Sequence, residues 1–238
     1  MPASPYLESD VAKIMGHIGL CEASHRVANN PEDSQPLSVD GEGRAAAQER
    51  SLVLLVGLPG AGKSTFARRL APLIDAVTLE SDALRRLLFG TPQHAESESK
   101  RLFRAIQAVT HRLLLNSHSV IVDATNLLET HRKPYVDVAA ATGARLHVVH
   151  LTAPEDVILN RLAHRREVQD PDEASTAFEA VYALLQQQEA APRGRHLHID
   201  TSDPVAIDAA LRTLVENRPT DGTVQPVAPL AGSGVSPA

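Results

Sequence analysis

The sequence predicts an α/β fold of three layers, with a mainly parallel sheet of about five strands in a single domain. Two observations predict it. Short apolar runs alternate with helical patterns through the middle of the chain, and the glycine-rich segment at residues 57 to 65 (GLPGAGKST) follows one such run and opens a helix. With 238 residues and 43% apolar content, the chain can bury one sizeable core and has little material for a second.

Residues 1 to 49 are rich in Ser, Pro, Asn, Asp, Glu and Gly, and are expected to form a mostly disordered arm. Within it Val11, Ile14, Met15 and Ile18 recur at helical spacing, which predicts a short helix that Gly16 and Gly19 weaken. Such a composition is expected to add little to the core, so removing residues 1 to 45 together with residues 220 to 238 should leave the melting temperature nearly unchanged. The folded domain is placed at residues 50 to 217.

Its strands are expected at residues 52 to 56, 77 to 79, 120 to 122, 146 to 151 and 197 to 199. Helices should begin near Lys63, Asp82, Ser97, Glu129, Pro154, Asp172 and Pro204. The helix from Ser97 carries Leu102, Phe103, Ile106, Val109, Leu113 and Leu114 on one face, which reads as core. Residues 172 to 190 read as another packing helix, with Phe178, Val181, Tyr182 and Leu185 inward. The tail at 218 to 238 is rich in Pro and Gly without a period and is expected to be disordered.

Composition narrows the function classes. A net charge of −6 argues against a broad basic surface gripping many nucleic-acid phosphates and leaves room only for a local basic pocket. Cys21 is the only cysteine, so neither an intrachain disulfide nor a Cys-based zinc site is available. No apolar run reaches 18 residues, and the first 30 residues lack the pattern of a secretory leader. A cytoplasmic protein with no membrane association and no obligate protein partner is the expectation. The histidines from His94 onward, His94, His111, His118, His131, His147, His150, His164, His196 and His198, show no ligand spacing and are read as core or surface residues.

The segment from Gly57 to Ser64 satisfies G-x-x-x-x-G-K-[ST] in its proper strand-to-helix context, which predicts the P-loop NTPase fold. Gly57, Gly60, Ala61 and Gly62 let successive backbone N–H groups converge on phosphate oxygens, and the following helix points its positive end at the same anion. Lys63 adds a point charge at the β- and γ-phosphates of ATP. Ser64 is expected to offer a hydroxyl to Mg²⁺, and Thr65 to hydrogen-bond the α-phosphate.

At the end of the third strand, Asp123 is the expected carboxylate of the Mg²⁺ shell. Ala124 follows it, where motor ATPases carry a second carboxylate, and no Asn-Lys-x-Asp guanine signature occurs, so motors and GTPase switches lose ground. The second strand is expected to end in Glu80-Ser81-Asp82, setting Asp82 at the carboxyl edge of the sheet as either an acceptor-facing carboxylate or an ordinary helix cap. Arg161 and Arg165 fall four apart on one helix face, with Arg166 adjacent, and such a pair can close over ATP phosphates or simply face solvent.

The motifs GLPGAGKST, SDALRRLLFG at 81 to 90, VIVDATN at 120 to 126 followed by His131 and Arg132, and RLAHRR at 161 to 166 resemble, in order and spacing, the P-loop kinases typified by bacteriophage polynucleotide kinase. The resemblance covers about residues 52 to 200. It implies that Asp82 acts as general base on an acceptor hydroxyl, that Arg85 contacts the acceptor's phosphate, and that Arg161 and Arg165 belong to a lid that stabilises the transferring phosphoryl group. The expected activity is transfer of the γ-phosphoryl group of Mg-ATP to a hydroxyl acceptor, a nucleic-acid 5′ end or a small molecule. A small-molecule or antibiotic kinase resembling the zeta-toxin and chloramphenicol phosphotransferase relatives, and an ATP-binding regulatory module or slow ATPase, are the rival readings.

Overall fold

The computed structural model describes residues 6–19, 50–169, 182–187, 189 and 191–216, with side chains up to His164 in the helix that ends at Gln169. Among these residues no helix is long and apolar enough to cross a membrane.

The central strand, β1 (Ser51–Val56), is a near-continuous apolar run, SLVLLV, and all six of its residues are buried. That pattern belongs to a strand covered on both faces. On one side β1 pairs in parallel with β3 (Ser119–Asp123), which in turn pairs with β2 (Ala76–Glu80). On the other side it pairs with β4 (Arg145–Thr152), which pairs with β5 (Leu197–Asp200). The result is a five-stranded parallel sheet of order β2-β3-β1-β4-β5. All five expected strands are present.

Because side chains alternate across a strand, Leu52 and Leu54 face one side of the sheet while Val53 and Leu55 face the other. The first pair joins Val120, Val122 and Leu79 in a core closed by four helices: α1 (Leu7–His17), α3 (Ser81–Phe89), α4 (Glu96–Leu115) and α5 (Glu129–Thr142). The second joins Ile121, Val149, Leu151 and Ile199 beneath α2 (Lys63–Ile74) and the last helix, α7 (Pro204–Glu216). A smaller cluster of Leu58, Leu127, Ile158, Leu162 and Tyr182 packs α6 (Glu155–Gln169) and the short helical segment at residues 182–187 against the loops beyond the strands. These are the three layers expected.

Two expectations are corrected. The helix anticipated at Val11 and Ile14 exists as α1, but it is part of the core: both side chains are fully buried among Leu84, Leu88, Leu102 and Ala105. Its two apolar turns are enough because α3 and α4 supply the rest of the surface they bury against. Second, β2 stops at Glu80, and Asp82 lies in the first turn of α3 instead of on the strand. The residues read as Phe178 and Val181 of a helix from Asp172, and the tail at 218 to 238, lie outside the described residues.

Candidate active site

The sheet delivers the ends of β1, β2 and β3 to one edge, and the site is built there. After Val56 the chain turns at Gly57, where a Cβ would collide with the Leu151 carbonyl oxygen, and at Gly60, where it would come within 2.9 Å of Ile158 Cγ2. Gly62, with φ near +88°, caps α2. The glycines are therefore demanded by the backbone's close approach to β4 and α6 and by left-handed dihedrals. No acidic residue occupies the first turn of α2, so nothing opposes the partial positive charge of its N-terminus.

The loop is stitched to the neighbouring strand end. The Gly57 N–H donates to the Thr125 carbonyl (3.0 Å), and Asn126 Nδ2 donates to the Leu55 carbonyl (2.8 Å). Arg132, almost wholly buried, donates to the carbonyls of Asn126 (2.9 Å) and Leu127 (2.6 Å). Asn126 and Arg132 thus hold the cradle's floor. Lys63 reaches back over the loop, its Nζ donating to the carbonyls of Gly57 (2.9 Å) and Leu58 (2.8 Å). Ser64 is half-buried at the start of α2 and Thr65 is exposed beside it, both lining the cleft.

One cleft of about 790 Å³ contains the cradle and the candidate catalytic carboxylates together: Lys63, Ser64, Glu80, Asp82 and Asp123 all line it. Asp123 is buried at the end of β3, in register with Glu80 at the end of β2. Burial, then Asp123 and Asp82, raise the Glu80 pKa above the usual glutamate value. Asp82 is exposed in the cleft wall. The cap position of α3 belongs to Glu80, so an N-cap role for Asp82 does not hold.

Across the cleft from the cradle, α3 and α4 form a wall. Arg85, one turn beyond Asp82, is 7% exposed; its Nη2 donates to Ser99 Oγ (3.2 Å), and its Nη1 lies 3.6 Å from Glu98 Oε1. Arg85 Nε and Nη1 and Glu98 Oε1 are buried without a hydrogen-bond partner among the described residues. Phe103, read from sequence as core, packs against the core and is half-buried: it also lines the cleft and stacks on His131, with ring centroids 6.2 Å apart and planes 12° apart. Burial, with Arg132 adjacent, lowers the His131 pKa, so its ring favours the neutral form.

Arg161 lies on the far side of the loop. Its Nη1 donates to Thr201 Oγ1 (2.8 Å) and the Gly60 carbonyl (3.3 Å), its Nη2 to the Thr201 carbonyl (2.9 Å), and Thr201 Oγ1 donates to the Ala61 carbonyl (3.0 Å). Arg161, Thr201 and the loop border a second hollow of about 690 Å³ behind the cradle. Arg161 is thus tied to the cradle and does not lie on a solvated helix face. Arg165 falls in α6, and its side chain lies outside the described residues.

Reasoning from sequence passed over Glu80, Thr201, and the Phe103–His131 pair. Glu80 carried a signal, a carboxylate at a strand's carboxyl end, but Thr201 follows β5 in a segment with no motif, and Phe103 shares its helical period with true core residues.

The chain matches, over residues 52–192, a family model described as "AAA domain". It belongs to this family of P-loop kinases. Curated relatives of this P-loop kinase chain include an L-seryl-tRNA(Sec) kinase of Methanococcus maripaludis, 29% identical over 119 residues, with the match covering 48% of this chain and 46% of the relative. A shikimate kinase of Corynebacterium efficiens is 32% identical over 119 residues (44% and 69% covered), and a bifunctional polynucleotide phosphatase/kinase of Schizosaccharomyces pombe is 25% identical over 142 residues (58% and 31%). The match thus spans less than half of the first of these relatives and less than a third of the last. Among solved structures, the Mycobacterium tuberculosis APS kinase CysC in complex with AMPPNP and APS aligns with a TM-score of 0.53 at 21% identity, covering 71% of this chain and 96% of that one, and shares the fold.

Proposed function

We propose that this P-loop kinase transfers the γ-phosphoryl group of Mg-ATP to a hydroxyl acceptor seated between the cradle and the α3–α4 wall. The observation that carries the reading is that Asp82 and Arg85 line the same cleft as Lys63, Ser64 and Asp123, with the phosphate cradle at one end and the acceptor wall at the other.

In this reading the loop N–H groups and Lys63 bind the phosphates, and Lys63 exchanges its two loop carbonyls for phosphate oxygens. Arg161 and Thr201 hold the shape of the loop, and Arg165 belongs to the closing segment. Ser64 and Asp123 offer the hydroxyl and carboxylate oxygens that suit Mg²⁺, which in such sites takes one or two protein oxygens together with phosphate and water. Mg²⁺ would neutralise charge on the phosphates.

The Asp82 carboxylate accepts the proton of the acceptor hydroxyl as its oxygen bonds to the γ-phosphorus. The bond from the γ-phosphorus to the β,γ-bridging oxygen breaks, and that oxygen leaves on ADP. Arg85 faces the acceptor's own anionic group. The relatives' names cover both acceptor kinds, small molecules in shikimate kinase and a polynucleotide in the phosphatase/kinase. The test is transfer of label from [γ-³²P]ATP to a panel of 5′-hydroxyl oligonucleotides, shikimate, gluconate, nucleosides and hydroxylated antibiotics. Label on an oligonucleotide assigns the chain to 5′-end phosphorylation, label on a small molecule to the rival kinase class, and release of inorganic phosphate alone to a slow ATPase.

A further inference from the structure

We infer that α1, a segment outside the 52–192 family match, positions the acceptor wall through a single node, Arg101. The inference rests on the reading of α3 and α4 as that wall.

The node joins three helices. Arg101, on α4, is held by the fully buried carboxylate of Asp10 on α1 in a two-pronged contact: Nε to Oδ2 at 2.6 Å and Nη2 to Oδ1 at 2.7 Å. The same guanidinium lies over the ring of Tyr6, 4.4 Å from its centroid, and 5.3 Å from the ring centroid of Phe89, the last residue of α3. A planar fork gripped bidentately and in contact with two rings has restricted freedom to move. Around it, Val11 and Ile14 fill the groove between α3 and α4, and Glu8 pairs with Arg112 (2.6 Å) further along α4.

The wall's own polar contacts are few: Arg85 Nη2 donates to Ser99 Oγ (3.2 Å), and Glu98 Oε2 accepts from the Gln93 N–H (2.9 Å). Arg85 and Glu98 approach only to 3.6 Å, and three of their buried polar atoms find no hydrogen-bond partner among the described residues, so the packing of α3 against α4 sets their separation. Ser99, the one hydroxyl that holds Arg85, and Phe103, the stacking face, sit two residues on either side of Arg101 on α4. All three lie within about one turn of the same continuous helix, so a shift of the α4 backbone at Arg101 moves both. A displacement near 1 Å in such a site is enough to impair a reaction. Asp10 is accordingly a positioning residue for the acceptor side, and the cradle, formed by the loop between β1 and α2, is indifferent to it.

The full chain contains no tryptophan, so Phe103→Trp places one reporter on the wall. Its emission maximum and acrylamide quenching are compared in this background alone and with Asp10→Asn, with the conservative Asp10→Glu, and with Leu214→Ala. Leu214 lies in the core on the opposite face of the sheet, so its truncation lowers stability without touching the wall. All are measured well below the lowest melting temperature, alongside affinity for a fluorescent ATP analogue. Asp10→Asn is expected to raise the quenching constant about twofold or more, Asp10→Glu to restore most of it, and Leu214→Ala to leave it unchanged, with nucleotide affinity the same throughout. In the native Phe103 background, hydrogen exchange should quicken on the order of tenfold in residues 81–89 and 96–104 of Asp10→Asn and not in residues 57–74. Neither readout depends on turnover, so a failed transfer assay leaves them able to decide. Equal responses to Asp10→Asn and Leu214→Ala, or exchange that quickens uniformly, would overturn the inference and reduce α1 to a stabilising helix.

Discussion

Glu80 and Asp123 stand side by side, in register, at the carboxyl ends of the adjacent strands β2 and β3. Two carboxylates in that position repel each other unless a cation or a proton intervenes.

Burial, and then Asp123 and Asp82, raise the pKa of Glu80 in the folded chain. At pH values between the ordinary glutamate pKa and the raised one, the folded state therefore holds a proton that the unfolded state has released. The resulting penalty is absent below the ordinary glutamate pKa and fully present above the raised one. Glu80→Gln should thus melt higher than the native chain at neutral pH and match it near pH 4. Thermal melts at both values check this; an equal difference at both would mean that the carboxylate's charge is not the cause.

Gly57 and Gly90 both have positive φ, but only Gly57 has a backbone carbonyl where a Cβ would go. Gly57→Ala should distort the cradle and weaken ATP binding at least about tenfold. Gly90→Ala meets no atom within 4 Å and should cost only the strain of a side chain at φ 67°, ψ −84°, roughly 1–3 kcal/mol of stability, with ATP affinity intact. Calorimetric titration and melts of the two variants separate the effects.

Arg161 and Thr201 act on the loop as one unit, since Arg161 holds the Thr201 hydroxyl that in turn reaches the Ala61 carbonyl. Arg161→Ala should lower ATP affinity as well as kcat, where a group meeting only the transition state would lower kcat alone. A double-mutant cycle with Thr201→Val should give a coupling of roughly 0.5–3 kcal/mol in ATP binding; additivity would separate the two residues.

The fully buried Ile14 makes the contribution of α1 measurable. Ile14→Ala should cost roughly 2–5 kcal/mol and lower the melting temperature by several degrees. An unchanged melting temperature would return the arm to the role its composition implied.

The sheet was legible because β1 is apolar from Leu52 to Val56 and each later strand carries a short apolar stretch between helical patterns, so five strands could be placed with no knowledge of their order. The cradle was legible because Gly57, Gly60 and Gly62 answer backbone demands that leave little choice of residue. What the sequence hid are contacts across the chain. The partner of Asp10 is 91 residues away, that of Arg161 is 40 residues away, and no local pattern encodes either. Phe103 was half legible: it packs against the core as its period implies, and it also lines the cleft, as a residue at the edge of an apolar helical stripe can.

The most direct test of the central claim separates nucleotide binding from transfer at Asp82. Titration calorimetry with Mg-ATP is paired with single-turnover transfer of labelled phosphoryl to the acceptor that the panel identifies, in the native chain and in Asp82→Asn. The account predicts label on a hydroxyl acceptor and, in the Asn variant, unchanged ATP affinity with transfer reduced about 10²- to 10⁴-fold, the usual contribution of a general base. Label appearing only as inorganic phosphate, or full transfer by Asp82→Asn, would contradict it.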